Sequence, residues 1–318
     1  MAYQAGDTIL DDEYNTFVNN SSSPFGLNHF AATGSTVYGL GESSVATVSA
    51  GTTINAAHWN ALFTGMTTIA GHTGDTLTSR SAVSAGDPIA IKAAVAADLA
   101  TLAASVAAGS PNTTAITAVQ KQALQSSSTF TGSHTTECSF TFTDANTMRF
   151  FFNAGGVIRV DPIRIGNGGS DGASGKDGNV DNLFNALGNF DIKSTTCSRS
   201  GSGETEDSHA ASTGFYDLST SYTTLIQLAD DTYPYTSNTI KVEAKLNAAA
   251  GSATVMTVKT TYTDGSAEFT YNDNSADNNA YRNGQHEHRY IVVGTTTGGG
   301  LANAYSTSAT ASVSNTTT

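Results

Sequence analysis

The stretch from Glu137 to Ile165, "ECSFTFTDANTMRFFFNAGGVIRVDPIRI", decides how the chain is read. Cys138, Phe140 and Phe142 alternate with polar residues, the period of a half-buried strand. "TMRFFF" then places three of the chain's 14 phenylalanines side by side. Asn153-Ala154-Gly155-Gly156 follows, and after it the β-branched "VIRVDPIRI". The expectation is two strands, "TMRFFF" and "VIRVDPIRI", joined by a tight turn in which Gly155 and Gly156 supply positive φ. Alternation then sends Phe150 and Phe152 to one face and Phe151 to the other. One face meets the core. The other needs a cover: a short helix, another domain or another subunit. Pro162 predicts an edge strand or a bulge.

Outward from this stretch, the period-2 pattern continues downstream. "YTTLIQL", "TIKVEAKL", "ATVMTVKTTY" and "HRYIVVG" read as strands, joined by turns rich in Gly, Asn, Asp and Ser. "VDNLFNALGNF" reads as a short helix with Leu183, Phe184 and Leu187 on one face and Gly188 near its end. The prediction is an antiparallel β-sandwich over residues 128–318.

Upstream the period is helical. Ala5-Gly6-Asp7-Thr8-Ile9 recurs as Ala50-Gly51-Thr52-Thr53-Ile54 and Ala85-Gly86-Asp87-Pro88-Ile89. Ile9 is followed five positions on by Tyr14-Asn15, and Ile54 by Trp59-Asn60. Each copy reads as a turn feeding a helix. Asn55 is the expected cap of the second helix, and Asp87 of the third, with Pro88 at its first position. Trp59, Leu62, Phe63, Met66 and Ile69 form one buried stripe; Ile91, Val95, Leu99, Leu102 and Val106 form the next. Alanine coats the third helix, which suits close packing within or between subunits. His58 and His72 read as ordinary surface or core histidines. Residues 109–128 read as a connector: a loop, a short helical pattern and a serine run. The overall expectation is α+β, mainly β, with a helical or irregular region over residues 1–127.

Charged residues make up 13% of the 318, against about 25% in ordinary soluble proteins. The formal net charge is -13 and the basic residues are scattered, which argues against nucleic acid as a partner. Hydrophobic residues at 38% are regularly patterned, so cores can form. Low charge with abundant Thr, Ser and Gly is common in β-rich proteins of assemblies or of the cell exterior. "MAYQAGDTILDDEYN" has neither a basic region nor an apolar run, so no secretion signal is expected. No stretch approaches the roughly 20 apolar residues of a membrane span. Cys138 and Cys197 allow a disulfide but read first as two buried thiols.

A set of motifs resembles the virion structural proteins of tailed phages, particularly the contractile-tailed phages of marine hosts. "RFFFNAGGVIRV", "LFNALGNF" and the long run from "TGFYDLSTSYTTL" to "TVMTVKTTY" are similar to the C-terminal region of that family. There a Phe-Phe-Asn-small-Gly-Gly turn is followed by a strand start that Gly214-Phe215-Tyr216-Asp217-Leu218 matches. "AGDTILDDEYNTFVN" and "TTINAAHWNALFTGM" resemble the family's start, where an Asp-Tyr-Asn turn and a Trp-Asn helix recur. Val37-Tyr38-Gly39-Leu40 is the counterpart of its Gly-Tyr-Gly-like element. The resemblance covers most of the chain and implies a virion component.

The chemistry that would point elsewhere is sparse. "GNGGSDGASGKDGN" (166–179) has Gly-Lys without the following Ser or Thr of a P-loop, and reads as a flexible hairpin loop. Its Asp171, Asp177 and nearby Asp181 offer carboxylates to calcium, without the fixed ligand order. "GETEDSH" (203–209) reads as an acidic loop. His286 and His288 share a strand face, so three chains around an axis would present six imidazoles to one transition metal, as His-x-His does in some phage fibre tips. The other reading is a plain polar face.

The expectation is therefore a virion protein without enzymatic activity or cofactor, assembled in the host cytoplasm. A tail, baseplate or fibre component comes first, a capsid decoration protein second, and a glycan-binding or depolymerase module third. Expected partners are copies of itself, other virion proteins and, on the host-contact side, a surface glycan, with no membrane. The helical part would attach or oligomerise, and the β-rich part would form the exposed or lattice-forming domain. Phe150, Phe151, Phe152, Gly155, Gly156, Trp59, Leu62 and Phe63 are the expected structural and assembly residues.

Overall fold

The computed structural model describes residues 11–85, 92–109, 116–126, 133–165, 176–265, 285–295 and 310–317. Helices dominate the first part and antiparallel sheets the second, an α+β arrangement. The chain divides into two compact units. Unit one comprises Met1–Thr117, Ala145–Gly156 and Gly294–Ser306; unit two comprises Ala118–Asp144, Val157–Val293 and Thr307–Thr318.

Unit one holds helices α1 (Asp11–Asn19), α2 (Leu27–Ala31), α3 (Ala56–Thr73), α4 (Lys92–Ala107) and α5 (Ala145–Asn153). The start of α3 follows from its cap. The Asn55 side chain accepts the N–H groups of Ala57 and His58 at 3.0 and 3.3 Å, and His58 Nδ1 accepts the Asn55 N–H at 3.2 Å. Two otherwise orphaned donors of the first turn are thereby satisfied, along with the cap's own N–H. His58 is thus part of a reciprocal cap. The stripe Trp59, Leu62, Phe63, Met66 and Ile69 is buried, as are Val95, Leu99, Leu102 and Val106 on α4 and Tyr14, Phe17 and Val18 on α1. Asp87, Pro88 and Ile91 lie outside the described residues.

The phenylalanine run departs from expectation: "TMRFFF" is helix α5, not a strand. Met148, Phe151 and Phe152 are spaced i, i+3, i+4 and form its buried stripe, while Phe150 is only half-buried. Phe150 and Phe152 therefore do not share a face. Asn153-Ala154-Gly155-Gly156 is the end of this helix rather than a hairpin turn. The Gly156 N–H donates to Phe151 C=O at 2.8 Å and the Gly155 N–H to Phe152 C=O at 3.0 Å. With Gly155 at φ +82°, that is a Schellman cap, which gives two carbonyls of the last turn their partners.

Unit two holds two sheets. One runs in the order β1 (Ile116–Ser126), β10 (Gln285–Thr295), β3 (Val157–Ile165), β4 (Phe190–Ile192), β5 (Cys197–Arg199). The other runs β11 (Thr310–Thr317), β2 (Ser133–Thr141), β9 (Val255–Thr263), β8 (Thr239–Leu246), β7 (Thr223–Ala229), β6 (Thr205–His209). Three expectations change here. The second half of the segment read as a connector, Ile116–Ser126, is strand β1. Thr205–His209, read as loop, is strand β6. Gly214–Leu218 is a 3-10 turn over Phe215–Asp217 rather than a strand start, with Phe215 and Leu218 buried. Pro162 lies in β3, which sits between two neighbours. It does so because β4 pairs only with Ile158–Val160, so that side of the strand is open among the described residues by the time the chain reaches the proline.

Helix α6 (Lys176–Leu187) begins inside the glycine-rich segment and touches β3 of one sheet and β7 and β8 of the other. Val180, Leu183, Phe184 and Leu187 are buried, and the Phe184 ring meets Tyr262 of β9 edge-on at 6.4 Å. The Gly188 N–H closes the helix on Phe184 C=O at 2.8 Å. Burying one helix against both sheets gives the two inner faces a common apolar filling. Cys138 and Cys197 are both buried and unbonded, and burial pushes their thiols up to about 12 and about 11. A thiol so placed is a poor nucleophile at neutral pH.

Candidate functional site

Several of the motifs singled out in the sequence contain side chains that hold backbone. Extended segments that belong to no sheet must find partners for their N–H and C=O groups. In unit one, asparagine side chains supply them in pairs. Asn15 of α1 donates from Nδ2 to Val48 C=O at 2.8 Å and accepts the Val48 N–H at 2.9 Å. Asn60 of α3 does the same to Val83, at 3.0 and 2.9 Å. Asn28 of α2 holds Val45, at 2.8 Å in both directions. A primary amide carries a donor and an acceptor side by side, so it mimics one rung of a β-ladder.

Asn15 and Asn60 occupy the same place in the first two repeat copies. Their targets are also equivalent: Val48-Ser49-Ala50-Gly51 opens the second copy and Val83-Ser84-Ala85-Gly86 the third. Each helix thus grips the segment that leads into the next copy. The residue before each asparagine is aromatic and buried: Tyr14 and Trp59 meet edge-on at 5.7 Å. The Tyr14 hydroxyl donates to His58 C=O at 3.1 Å, and burial pushes its phenol up to about 12. Asp98 of α4 holds the same lead-in segment from its other end, accepting the Thr78 N–H at 3.1 Å and pairing with Arg80. Nothing in the sequence pattern marked Asp98 for this.

Helix α5 grips the loop that contains Val37-Tyr38-Gly39-Leu40. Arg149 donates to the carbonyls of Tyr38 (2.9 Å) and Thr33, and Asn153, one turn on, to those of Gly39 (2.8 Å) and Thr36 (3.2 Å). Both side chains are buried. The Phe150 ring covers Gly41, where an added Cβ would sit 2.6 Å from it. Two segments more than a hundred residues apart in sequence are thereby fixed together. Phe151 and Phe152 meet edge-on at 5.1 Å below them.

Trp59, Leu62 and Phe63 lie in the core of unit one. His286 and His288 fall on β10, opposite Arg164 and Pro162 of β3. Their side chains lie outside the described residues, as does Asp171; Asp177 and Asp181 fall on α6. A cleft of about 400 Å³ runs along α3, lined by Asn60, Phe63, Thr64, Thr67, Thr68, Arg80, Ser81 and Ala82. Its one titratable side chain, Arg80, is engaged with Asp98 and lies 5.2 Å from the Phe63 ring centre. Tyr222, just before β7, meets Lys245 of β8 and Lys259 of β9 at 4.3 and 4.0 Å from its ring centre, while its hydroxyl donates to Glu137 of β2. Lysines lie where a sugar would stack on that ring. Among the described residues, the one group of three acids able to share a cation is Glu204, Asp230 and Asp231.

No protein-family model, curated protein or solved structure matches this chain.

Proposed function

We propose that the chain is a structural protein of a tailed-phage virion, a non-enzymatic part of the tail, baseplate or fibre apparatus. The observation behind this reading is the work done by the residues that carry the resemblance. Tyr14-Asn15 and Trp59-Asn60 clamp lead-in segments. Val37-Tyr38-Gly39-Leu40 receives α5, and the Phe-Phe-Asn-Ala-Gly-Gly run closes that helix. Phe215 and Leu218 of the Gly-Phe-Tyr-Asp-Leu run are buried. A motif set whose members fix backbone to backbone is what an assembly subunit needs. Asn60 and Phe63 also border the cleft along α3, where Arg80 is engaged with Asp98.

The test is a mass-spectrometric copy count on purified particles, with heads and tails separated. The reading predicts the chain in the tail fraction at the low copy number of a tail part. A high copy number in the head fraction would make it a capsid decoration protein. Release of sugars from host polysaccharide by the purified chain would favour a depolymerase and overturn the proposal.

A further inference from the structure

Strands β6 and β7 pair antiparallel, with Thr205 opposite Ala229 at the end of the ladder. One step beyond that rung, the chain carries Glu204 on one side and Asp230 on the other, with Asp231 next to it. One carboxylate oxygen from each of the three lies within 4.8 Å of the others. An ion seated among the three oxygens would lie within about 2.8 Å of each, close to the 2.3–2.6 Å bond from calcium to oxygen.

The cluster is held in place by backbone rather than by cations. The Asp231 N–H donates to Glu204 Oε2 at 2.8 Å. The Thr232 N–H donates to Asp230 Oδ1 at 2.7 Å, and the Asp230 N–H closes the following loop on Asn238 C=O at 3.0 Å. No Lys, Arg or His among the described residues pairs with any of the three acids. Asp230 is only 2% exposed, and its Oδ2 is buried without a hydrogen-bond partner. A buried carboxylate oxygen left without a donor is costly. Burial, with the neighbouring negative charges adding to it, holds the Glu204 and Asp230 carboxyls above their ordinary range. A divalent cation would answer the unpartnered oxygen and the mutual repulsion together.

We propose that Glu204, Asp230 and Asp231 form a calcium site that ties the end of the β6–β7 ladder to the β7–β8 loop. Three hard oxygen donors with no nitrogen or sulfur ligand suit calcium rather than zinc or copper. The half-buried Glu204 and exposed Asp231 leave water access for the remaining ligands. A ligand that binds the folded chain and not the unfolded one raises the melting temperature with concentration.

The test uses the full chain, stripped with chelator, in thermal melts and equilibrium dialysis against calcium chloride at constant ionic strength. The expected result is a melting temperature that rises with calcium and one ion retained per chain. Glu204→Gln and Asp231→Asn should lose both effects. Without calcium each variant should melt no lower than the parent, because one of three crowded negative charges is gone; this separates a lost site from a misfolded variant. Asp171→Asn, in the glycine-rich segment, should keep the response. A melting temperature indifferent to millimolar calcium would overturn the site. So would a response that sodium chloride reproduces at matched ionic strength, or one that survives Glu204→Gln and disappears in Asp171→Asn.

Discussion

A Cβ on Gly156 would meet the Phe151 carbonyl oxygen at 2.5 Å and the Phe151 ring at 2.6 Å. Its neighbour Gly155 has φ +82°. The two glycines are thus required for different reasons, close approach and backbone conformation. Gly156→Val is expected to cost about 1–3 kcal/mol in denaturant unfolding, of the order that local strain usually costs. Phe151 and Phe152 are fully buried, so truncating either to Ala should cost about 3–5 kcal/mol. Half-buried Phe150 should cost clearly less. Equal losses at Phe150 and Phe152, with Phe151 spared, would restore the strand reading. His134 on β2 gives a pH prediction. Burial lowers it to about 4, below the ordinary value near 6.5. Between those values the unfolded chain binds the proton and the folded chain does not, so stability falls as pH drops through that window. The loss amounts to ~3 kcal/mol by pH 4, and His134→Gln should flatten that part of a stability–pH curve. No flattening would mean His134 is protonated without penalty. At this scale the sequence was legible wherever a residue type has one main use: Asn55 as a cap, Gly188 at a helix end, the cysteines as buried thiols. It misled at the phenylalanines, because a triplet satisfies a period of two and a period of 3.6 alike. Met148 at i−3 from Phe151, and Asp144 just before the first helical residue, were the signals for a helix.

Among elements, the repeat copies matter through their joints. Asn15 and Asn60 each give both backbone groups of a valine their partners in segments without a strand neighbour. Asn60→Ala leaves the Val83 N–H and C=O without those partners and should destabilise unit one by ~1–3 kcal/mol. It should also speed hydrogen exchange at the Val83 amide far more than at amides in the middle of α3. Asn60→Asp keeps the acceptor but turns a carboxylate oxygen toward the Val83 C=O, so it should not recover the parent's stability. Uniform exchange across all three proteins would show that the clamp is not what holds the segment. The sequence pattern revealed the recurrence of Tyr14-Asn15 and Trp59-Asn60, but not its purpose. An asparagine on a helix face is usually solvated, and its partner lies 33 residues away in one case and 23 in the other. Strands β7, β8 and β9 were legible because they are rich in β-branched residues and alternate over part of their length, although β7 shifts register between Thr224 and Ile226. β6 was not, because "TEDSH" has little apolar content and its residues are exposed or half-buried. β1 was hidden for a related reason: "ITAVQKQALQS" spaces its apolar residues in a way that fits a helix as well as a strand.

At the scale of the whole molecule, the α+β class followed from where the period changes, and the details from contacts distant in sequence. Helix α5 lies between two strands of unit two in sequence and belongs to unit one in space. Arg149 and Asn153 fix it to the loop around Tyr38, and no local pattern announces a contact over more than a hundred residues. These contacts fix the backbone within unit one, and the proposed virion role would draw on that rigidity. If the proposed function holds, cryo-electron microscopy of purified particles of a phage that carries this sequence tests it most directly. The account predicts repeated, symmetry-related copies of this chain in the tail, each with α5 seated on the Tyr38 loop. Complete density for the tail and head with no position that fits either unit would contradict it.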